Sequence, residues 1–125
     1  MRADELLARI RLPRNTSEFK HYYRKVGTRK AQAISKVCFA GVASFRGSRV
    51  TEARIALGSV APIVLRCKQT EDVLRGQELN DDTVRLARET LMREIAPIDD
   101  IRSTALYRLR VAANLLLDFL VTARS

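Results

Sequence analysis

The sequence contains few of the residues on which metal sites and nucleophilic catalysis depend. It has one histidine, two cysteines and no tryptophan. Structural zinc sites and iron–sulfur clusters each need about four protein ligands, and Cys38 and Cys67 lack CxxC spacing, so the sequence predicts neither kind of site. The single histidine, His21, lies in a basic stretch without a nearby carboxylate to orient it. This context is typical of an exposed strand residue, not of a catalytic base.

Glycine-rich phosphate loops and long apolar runs are missing as well. No GxGxxG or GxxxxGK[ST] pattern occurs, so most of any nucleotide site has to come from other polypeptide. No apolar run reaches the length of about 18 residues that is typical of a membrane span. Residues 1–10 alternate charged and apolar side chains, unlike a signal peptide. These absences predict a soluble cytoplasmic protein with no membrane partner, whose two thiols are reduced.

Positive charge is abundant and unevenly distributed. The formal net charge is +9, and no Asp or Glu occurs in residues 19–51. The basic residues of this stretch are Lys20, Arg24, Lys25, Arg29, Lys30, Lys36, Arg46 and Arg49. Because this charge is not neutralised within its own segment, it predicts an anionic partner nearby.

Apolar alternation predicts a sheet in the first half of the chain. The predicted strands are an edge strand at residues 5–12, a second strand at 19–26, a third at 37–45 and a return strand at 49–60. Residues 28–35 are interpreted as a loop or a single helical turn. Gly47 is available for the positive φ of a short hairpin loop. In the return strand, Thr51, Ala53, Ile55 and Leu57 are predicted to share the buried face.

Beyond Pro62 the pattern becomes helical. A short helix at 71–75 is expected to be capped by Thr70 and stopped by Gly76. The second is expected to start at Asn80 or Asp81 and to end before Pro97, with a stripe of Val84, Ala87, Leu91, Met92 and Ile95. The last is expected to be capped by Ser103, with Asp99 and Asp100 as anionic residues ahead of it. Its predicted apolar stripe is Leu106, Leu109, Ala113, Leu116, Leu117 and Leu120, with Arg108 away from it.

Strands and helices are segregated along the chain instead of alternating. This order predicts the α+β class, with an antiparallel three- to four-stranded sheet and three helices packed on one of its faces.

Several segments resemble one family of redox proteins. Residues 22–37 resemble the start of the C-terminal domain of the FAD-binding (medium) subunit in the xanthine dehydrogenase and carbon monoxide dehydrogenase family of molybdenum hydroxylases. Residues 53–62 resemble the following strand of that domain, and residues 95–105, with 107–108 and 110–114, resemble the entry to its last helix. Residues 4–13 resemble the connection that leaves the preceding FAD-binding domain. The resemblance implies that residues 1–18 are this connection and that residues 19–125 are the C-terminal domain.

The resemblance also implies a function and a site. FAD is expected to be held mainly by upstream domains, with the molybdenum cofactor and 2Fe–2S clusters on a molybdenum subunit and an iron–sulfur subunit. This domain is expected to help bind or tune FAD while electrons pass from the clusters to NAD or another acceptor, and to be inactive alone. Lys25 matches the flavin-proximal lysine of the family, and Arg29 and Lys30 match its basic loop. A fixed cation near a flavin stabilises the negative reduced ring and attracts a pyrophosphate-bearing acceptor.

Two other interpretations remain open from the sequence. The basic stretch, with Phe19, Tyr22 and Tyr23, is compatible with a small nucleic-acid or polyanion-binding module in which the rings stack on bases. The last helix is compatible with a structural oligomerisation domain that uses its apolar stripe at a subunit interface.

Overall fold

The computed structural model describes residues 2–11, 19–29 and 33–124. The elements are, in chain order, β1 (Lys20–Gly27), β2 (Ser35–Arg46), β3 (Arg49–Gly58), β4 (Leu65–Arg66), α1 (Lys68–Leu74), α2 (Asp81–Glu94) and α3 (Ala105–Arg124). The strands form one antiparallel sheet in the order β1-β2-β3-β4. The predicted α+β class is confirmed. The two-residue β4 lies beyond Pro62, where the sequence pattern predicted only helices.

One face of the sheet is covered by helices and the other is not. In β2, Val37, Phe39 and Ala43 are buried, whereas Ala40, between them, is exposed, because successive strand residues point to opposite faces. Helix α3 packs on β1 and β2, α1 packs on β3, and α2 packs against α1 and α3. We call the opposite side the open face, since no helix among the described residues lies on it. By strand alternation it carries His21, Tyr23, Lys25, Cys38, Ala40, Val42, Arg54, Ala56 and Arg66.

The close approach of α3 to the sheet requires a glycine in β2. The rings of Tyr22, Phe39 and Phe119 form a cluster with centroids 5.6, 5.7 and 6.0 Å apart. A Cβ atom on Gly41 would lie 2.9 Å from the ring of Phe39 and 3.1 Å from that of Phe119. Any larger residue at position 41 would therefore displace the ring that fixes α3 on the sheet.

The strand predictions are confirmed for β1, β2 and β3, with one segment wrong. Residues 5–11 form no strand, and Leu6, Leu7 and Ile10 are exposed. Apolar alternation stabilises a strand only where a partner strand and a buried face are available, and the sheet of the described residues provides neither for this segment. Leu12 lies outside the described residues. In the predicted loop at 28–35, the described residues before Ser35 have no regular structure, and residues 30–32 also lie outside them.

The predicted hairpin is confirmed, but the sheet face predicted for one of its residues, Thr51, was wrong. Gly47 has φ +60° and begins the two-residue turn between β2 and β3. A register shift between Ser44 and Phe45, just before the turn, leaves Thr51 of β3 without a Cα partner in β2. As a result Val50 is buried and Thr51 is exposed, the reverse of the simple alternation that placed Thr51 on the core side.

Two of the three predicted helix caps were wrong. Thr70 lies inside α1, and its hydroxyl donates to Glu94 at 2.8 Å. The Glu94 carboxylate also accepts hydrogen bonds from the backbone N–H groups of Gln69 and Thr70. The N-terminus of α1 is therefore capped by a residue that is distant in sequence. The Asn80 cap is confirmed, because its side chain accepts from the N–H of Thr83 at 2.8 Å.

The last helix begins one residue later than a Ser103 cap would give. Its first residue is Ala105, whose N–H donates to Asp99, and the hydroxyl of Thr104 accepts from the N–H of Tyr107 at 3.2 Å. Asp99 therefore lies where the sequence placed an anionic residue, at the helix N-terminus. The cap itself is supplied by Thr104 instead of Ser103.

The apolar stripe of α3 is partly as predicted. Ala113, Leu116 and Leu120 are buried, whereas Leu106 is 56% exposed. Arg108, which the pattern placed away from the stripe, is only 4% exposed. Most of the stripe packs on the sheet and α2 of the same chain, so the fold already uses the surface that an oligomerisation domain would need. None of the helices described is both long and apolar enough to cross a membrane.

Shortening Leu116 should weaken the packing of α3 on the sheet. Leu116 is fully buried, so Leu116→Ala is expected to lower the free energy of unfolding by about 2–5 kcal/mol. Leu106→Ala in the same helix is the matched control, and because this side chain is largely exposed it should change stability by less than about 0.5 kcal/mol. Urea denaturation of both variants measures this difference. Equal effects would contradict the assigned helix face.

Candidate functional site

Lys25 lies on the open face, near the end at which β1 runs into the segment leading to β2. Its Cα partner across the sheet is Cys38. The side chain is exposed, and its Nζ atom donates to the carbonyl oxygen of Ala33 at 3.2 Å. This contact holds the ammonium group close to the segment that follows β1, in which the sequence placed its other basic site residues.

Arg29 belongs to a concave surface at the same end of the sheet. The depression has a volume of about 550 Å³, and its lining residues include Arg29, Ile34, Lys36, Ile101 and Arg102. Its described lining contains three cations and no carboxylate, and one of these cations, Arg102, pairs with Asp100 outside the lining at 3.7 Å. We call Lys25, Arg29, Lys36 and Arg102 the cationic end. The third predicted site residue, Lys30, lies outside the described residues.

Two members of the cationic end, Lys36 and Arg102, were not predicted as site residues. The ammonium group of Lys36 lies 5.2 Å from the centre of the Tyr107 ring, a cation–π contact between β2 and α3. Arg102 comes from the connection between α2 and α3. Lys36 belongs to the basic stretch at residues 19–51. Arg102 is distant from that stretch in sequence, and only the fold places it at the cationic end.

A shallow trough runs across the middle of the open face. It has a volume of about 490 Å³. Its lining includes the small residues Ala40, Val42 and Ala56, together with the larger residues His21, Tyr23, Arg54 and Arg66. Small side chains on the sheet leave room for a planar group or another protein surface to approach closely. Along β1, Tyr23 of the trough and Lys25 are two residues apart and therefore point to the same face.

The two cysteines lie in opposite environments. Cys38 is half-buried on the open face, and its Sγ atom is 3.4 Å from the hydroxyl of Tyr23. The hydrogen bond with this thiol raises the pKa of Tyr23. Cys67 is fully buried at the start of α1. Burial raises the pKa of the Cys67 thiol to about 12, so it stays protonated and inert at neutral pH.

Arg108 forms a buried junction beneath the cationic end. Its Nη1 atom donates to the carbonyl oxygen of Ser59 at 2.9 Å, and its Nη2 atom forms an ion pair with Asp100 at 2.6 Å. Backbone N–H donation from Arg102, followed by the paired guanidinium of Arg108, lowers the pKa of Asp100. A buried arginine needs such compensation, because burying an uncompensated charge is costly.

Sequence reasoning missed this junction, although a signal was present. Arg108 precedes the buried residues Ala112, Leu115 and Phe119 at helical spacing. A charged residue in register with the buried side of a helix predicts a charged or polar partner. The nearby acid pair, Asp99 and Asp100, offered two candidates, of which the fold selects Asp100.

The aromatic residues of the basic stretch do not form a stacking surface. Tyr22 packs in the core against Phe39 and Phe119, and the ring of Phe19 lies 5.8 Å from the guanidinium carbon of Arg54. Tyr23, 67% exposed, remains on the open face. No group of three or more potential metal ligands occurs within the described part of the chain.

Comparison with known proteins finds similarity over nearly the whole chain. Residues 21–123 match the family model described as CO dehydrogenase flavoprotein C-terminal domain. The chain is 27% identical over 111 residues to the xanthine dehydrogenase FAD-binding subunit of Escherichia coli O157:H7, with 86% of the chain and 37% of that protein covered. It is 31% identical over 108 residues to the nicotine 6-hydroxylase medium subunit of Paenarthrobacter nicotinovorans, with coverage of 85% and 36%.

Solved structures show the same similarity in three dimensions. The carbon monoxide dehydrogenase from Hydrogenophaga pseudoflava matches with a TM-score of 0.81 and 28% identity, over 90% of this chain and 39% of that chain. The quinoline 2-oxidoreductase from Pseudomonas putida 86 matches with a TM-score of 0.76 and 25% identity, over 86% and 38%. The present chain thus spans little more than a third of the length of its relatives.

The ion pair between Asp100 and Arg108 should make stability depend on pH in acid. Because the pKa of Asp100 is lower in the folded than in the unfolded chain, the ion pair stabilises the fold fully well above the ordinary pKa of 3.8. This stabilisation is lost as pH falls toward and below that value. Asp100→Asn should therefore destabilise the chain at neutral pH, and the difference from wild type should shrink between about pH 5 and pH 2. Thermal unfolding across this range measures it, with Asp118→Asn on the exposed side of α3 as control. A difference independent of pH would contradict the ion pair.

Proposed function

Because this chain belongs to the CO dehydrogenase flavoprotein C-terminal domain family, we propose that it forms the C-terminal domain of the FAD-binding subunit of a xanthine dehydrogenase-like molybdenum hydroxylase. Its partners in this proposal are the FAD-binding domain of the same subunit, an iron–sulfur subunit with 2Fe–2S clusters and a molybdenum subunit with the molybdenum cofactor. The enzyme is cytoplasmic, a compartment in which free thiols such as Cys38 and Cys67 persist.

The proposed role is to support FAD while electrons pass from the iron–sulfur clusters to NAD or another acceptor. FAD, when bound, supplies the redox chemistry of this transfer. Within the described residues, the domain has the features needed to approach the flavin ring system: the small apolar residues Ala40, Val42 and Ala56, and a cation at Lys25 on the same face. It has no glycine-rich turn leading into a helix that would hold the diphosphate. The fit therefore concerns the ring end of the cofactor.

The cations have separate tasks in this proposal. Lys25 provides a fixed positive charge, oriented by the carbonyl of Ala33, that favours negative charge on a neighbouring ring. Arg29, Lys36 and Arg102 surround a concave surface that suits a pyrophosphate-bearing acceptor such as NAD. Lys30 remains a predicted member of this group.

The observation that carries the proposal is the position of Lys25. It combines exposure on an uncovered sheet face, a hydrogen bond that fixes the ammonium group, and a carboxylate-free cationic depression at the same end of the sheet. A solvated surface lysine is also exposed, but it requires neither the hydrogen bond nor the neighbouring depression. Together these features favour the binding of an anionic or electron-rich group that other polypeptide holds next to Lys25.

Binding of a nucleic acid or another polyanion is the alternative function. The cationic depression favours it, but the engagement of Phe19 and Tyr22 within the chain does not. Retention of the chain on single-stranded DNA, falling steeply with salt, would support this alternative. We favour the cofactor-facing role because the cationic end adjoins an apolar trough and not a row of exposed rings.

Removing the Lys25 ammonium should change the flavin without affecting chemistry at molybdenum. In the assembled enzyme, Lys25→Ala should lower the flavin reduction potential by an amount on the order of tens of millivolts, because a nearby positive charge stabilises the reduced ring. Electron delivery to the acceptor should slow, while substrate oxidation with an artificial dye stays nearly unchanged. Redox titration of the flavin measures the shift.

Lys20→Ala is the matched control for this experiment. Lys20 is also an exposed lysine of β1, but it lies at the opposite end of the strand, across from Ala43. The Lys20→Ala substitution removes the same charge from the same strand and should leave the flavin reduction potential unchanged. Equal potentials in wild type and Lys25→Ala would remove Lys25 from the proposed site.

A further inference from the structure

Ser59 has a backbone conformation that its residue type does not favour. It follows the last residue of β3 and has φ +66°, in the left-handed region where glycine is the usual residue. It is the one non-glycine residue with positive φ in the described ranges of the chain. A serine at this position carries strain that a glycine would not, so the contacts of its side chain and carbonyl call for explanation.

Both polar groups of Ser59 connect separate parts of the fold. Its carbonyl oxygen accepts from Nη1 of Arg108 at 2.9 Å, and Arg108 pairs with Asp100. Its hydroxyl lies 3.0 Å from the Ser35 hydroxyl and donates to the Ser35 carbonyl oxygen at 3.3 Å. The first turn of α3, the α2–α3 connection, the end of β3 and the start of β2 are thereby joined by one set of polar contacts.

This set ends at the base of the segment that carries the basic site residues. Ser35 is the first residue of β2 and pairs with Gly27, the last residue of β1, across a register shift. Arg29 and the Ala33 carbonyl that binds Lys25 lie between these two strand ends. Since Ser35 begins β2 directly after Ala33 and Ile34, fixing Ser35 also limits where the Ala33 carbonyl can lie.

We propose that Arg108, Ser59 and Ser35 are positioning residues, which hold the start of β2 and the Ala33 carbonyl so that Lys25 and Arg29 face the cofactor and its acceptor. This inference rests on the proposed function and extends it to residues that touch neither ligand. Arg108 fixes the position of Ser59 by a hydrogen bond to its carbonyl oxygen. The Ser59 hydroxyl in turn fixes Ser35 by hydrogen bonding. The hydroxyl is the part of the side chain that the positioning requires, whereas the polypeptide turn at residue 59 requires only positive φ.

Two substitutions at one position separate positioning from stability. Ser59→Gly and Ser59→Ala both remove the hydroxyl, but only glycine tolerates φ +66° without strain. Ser59→Ala should therefore have the lower Tm of the two. Amide hydrogen exchange at the paired ends of β1 and β2, residues Val26, Gly27, Ser35 and Val37, should accelerate by a similar factor in both. We expect a factor of about five, which corresponds to a loss of about 1 kcal/mol.

The same pair should act alike on the cofactor. In the assembled enzyme, both variants should move the flavin potential in the direction of Lys25→Ala and by a smaller amount, because the ammonium group is still present but less well fixed. Ser44→Ala is the matched control. It removes a hydroxyl pair of similar length, 2.8 Å between Ser44 and Thr51, near the opposite end of β2, and should leave both the potential and the four amides unchanged.

The outcomes distinguish this inference from the proposed function. If Ser59→Ala changes the exchange rates and the flavin potential clearly more than Ser59→Gly does, these effects reflect the loss of stability measured by Tm. Ser59 then has only a structural role, and the inference is wrong. The inference is also wrong if both variants behave like Ser44→Ala. If Lys25→Ala leaves the potential unchanged, the proposed function fails, and the exchange rates alone then decide whether Ser59 positions the start of β2.

Discussion

The fold depends on the seating of α3 against one face of the sheet. The rings of Tyr22, Phe39 and Phe119 pack together only because Gly41 contributes no side chain between them. This packing commits the alternate residues of β1, β2 and β3 to the core. It also commits the remaining residues to the opposite side, so a single constraint determines which residues the open face carries.

The same helix connects the core to the cationic end. Arg108, in its first turn, is buried and reaches Ser59 and Asp100, while Tyr107 beside it contacts Lys36. One rigid element therefore sets the position of the strand ends between which the basic segment runs. This arrangement suits a domain that supports a redox cofactor held elsewhere, because its charges keep a fixed place on a well-packed scaffold.

Local patterns predicted most of the fold and only part of the site. Alternation located β1, β2 and β3, and helical spacing located α2 and α3, because each pattern reflects burial on one side of one element. The short helix α1 was placed by a cap and a glycine stop instead. The failures involve contacts between distant residues. Glu94 caps α1 from the end of α2, so Thr70 needed no capping role. Residues 5–11 alternate correctly but meet no partner strand among the described residues.

The candidate site shows the same division. Lys25 and Arg29 could be selected from the sequence because they stand in a basic stretch that resembles a known family, and the fold brings both to one end of the sheet. Arg102 and Ser59 could not be selected in this way. Arg102 joins the cationic end through the α2–α3 connection, and the importance of Ser59 lies in a backbone angle that no composition pattern encodes.

The central claim is that the open face is turned toward the cofactor and the rest of the subunit. The thiol of Cys38 reports on this directly, since it lies on that face across from Lys25, while the buried Cys67 provides an internal control. We would measure the rate at which a maleimide labels Cys38 in this chain alone and in the assembled, FAD-loaded enzyme. The account predicts labelling of Cys38 in the isolated chain and strong protection in the assembled enzyme, with Cys67 unreactive in both. Equal labelling of Cys38 in the two states would contradict it.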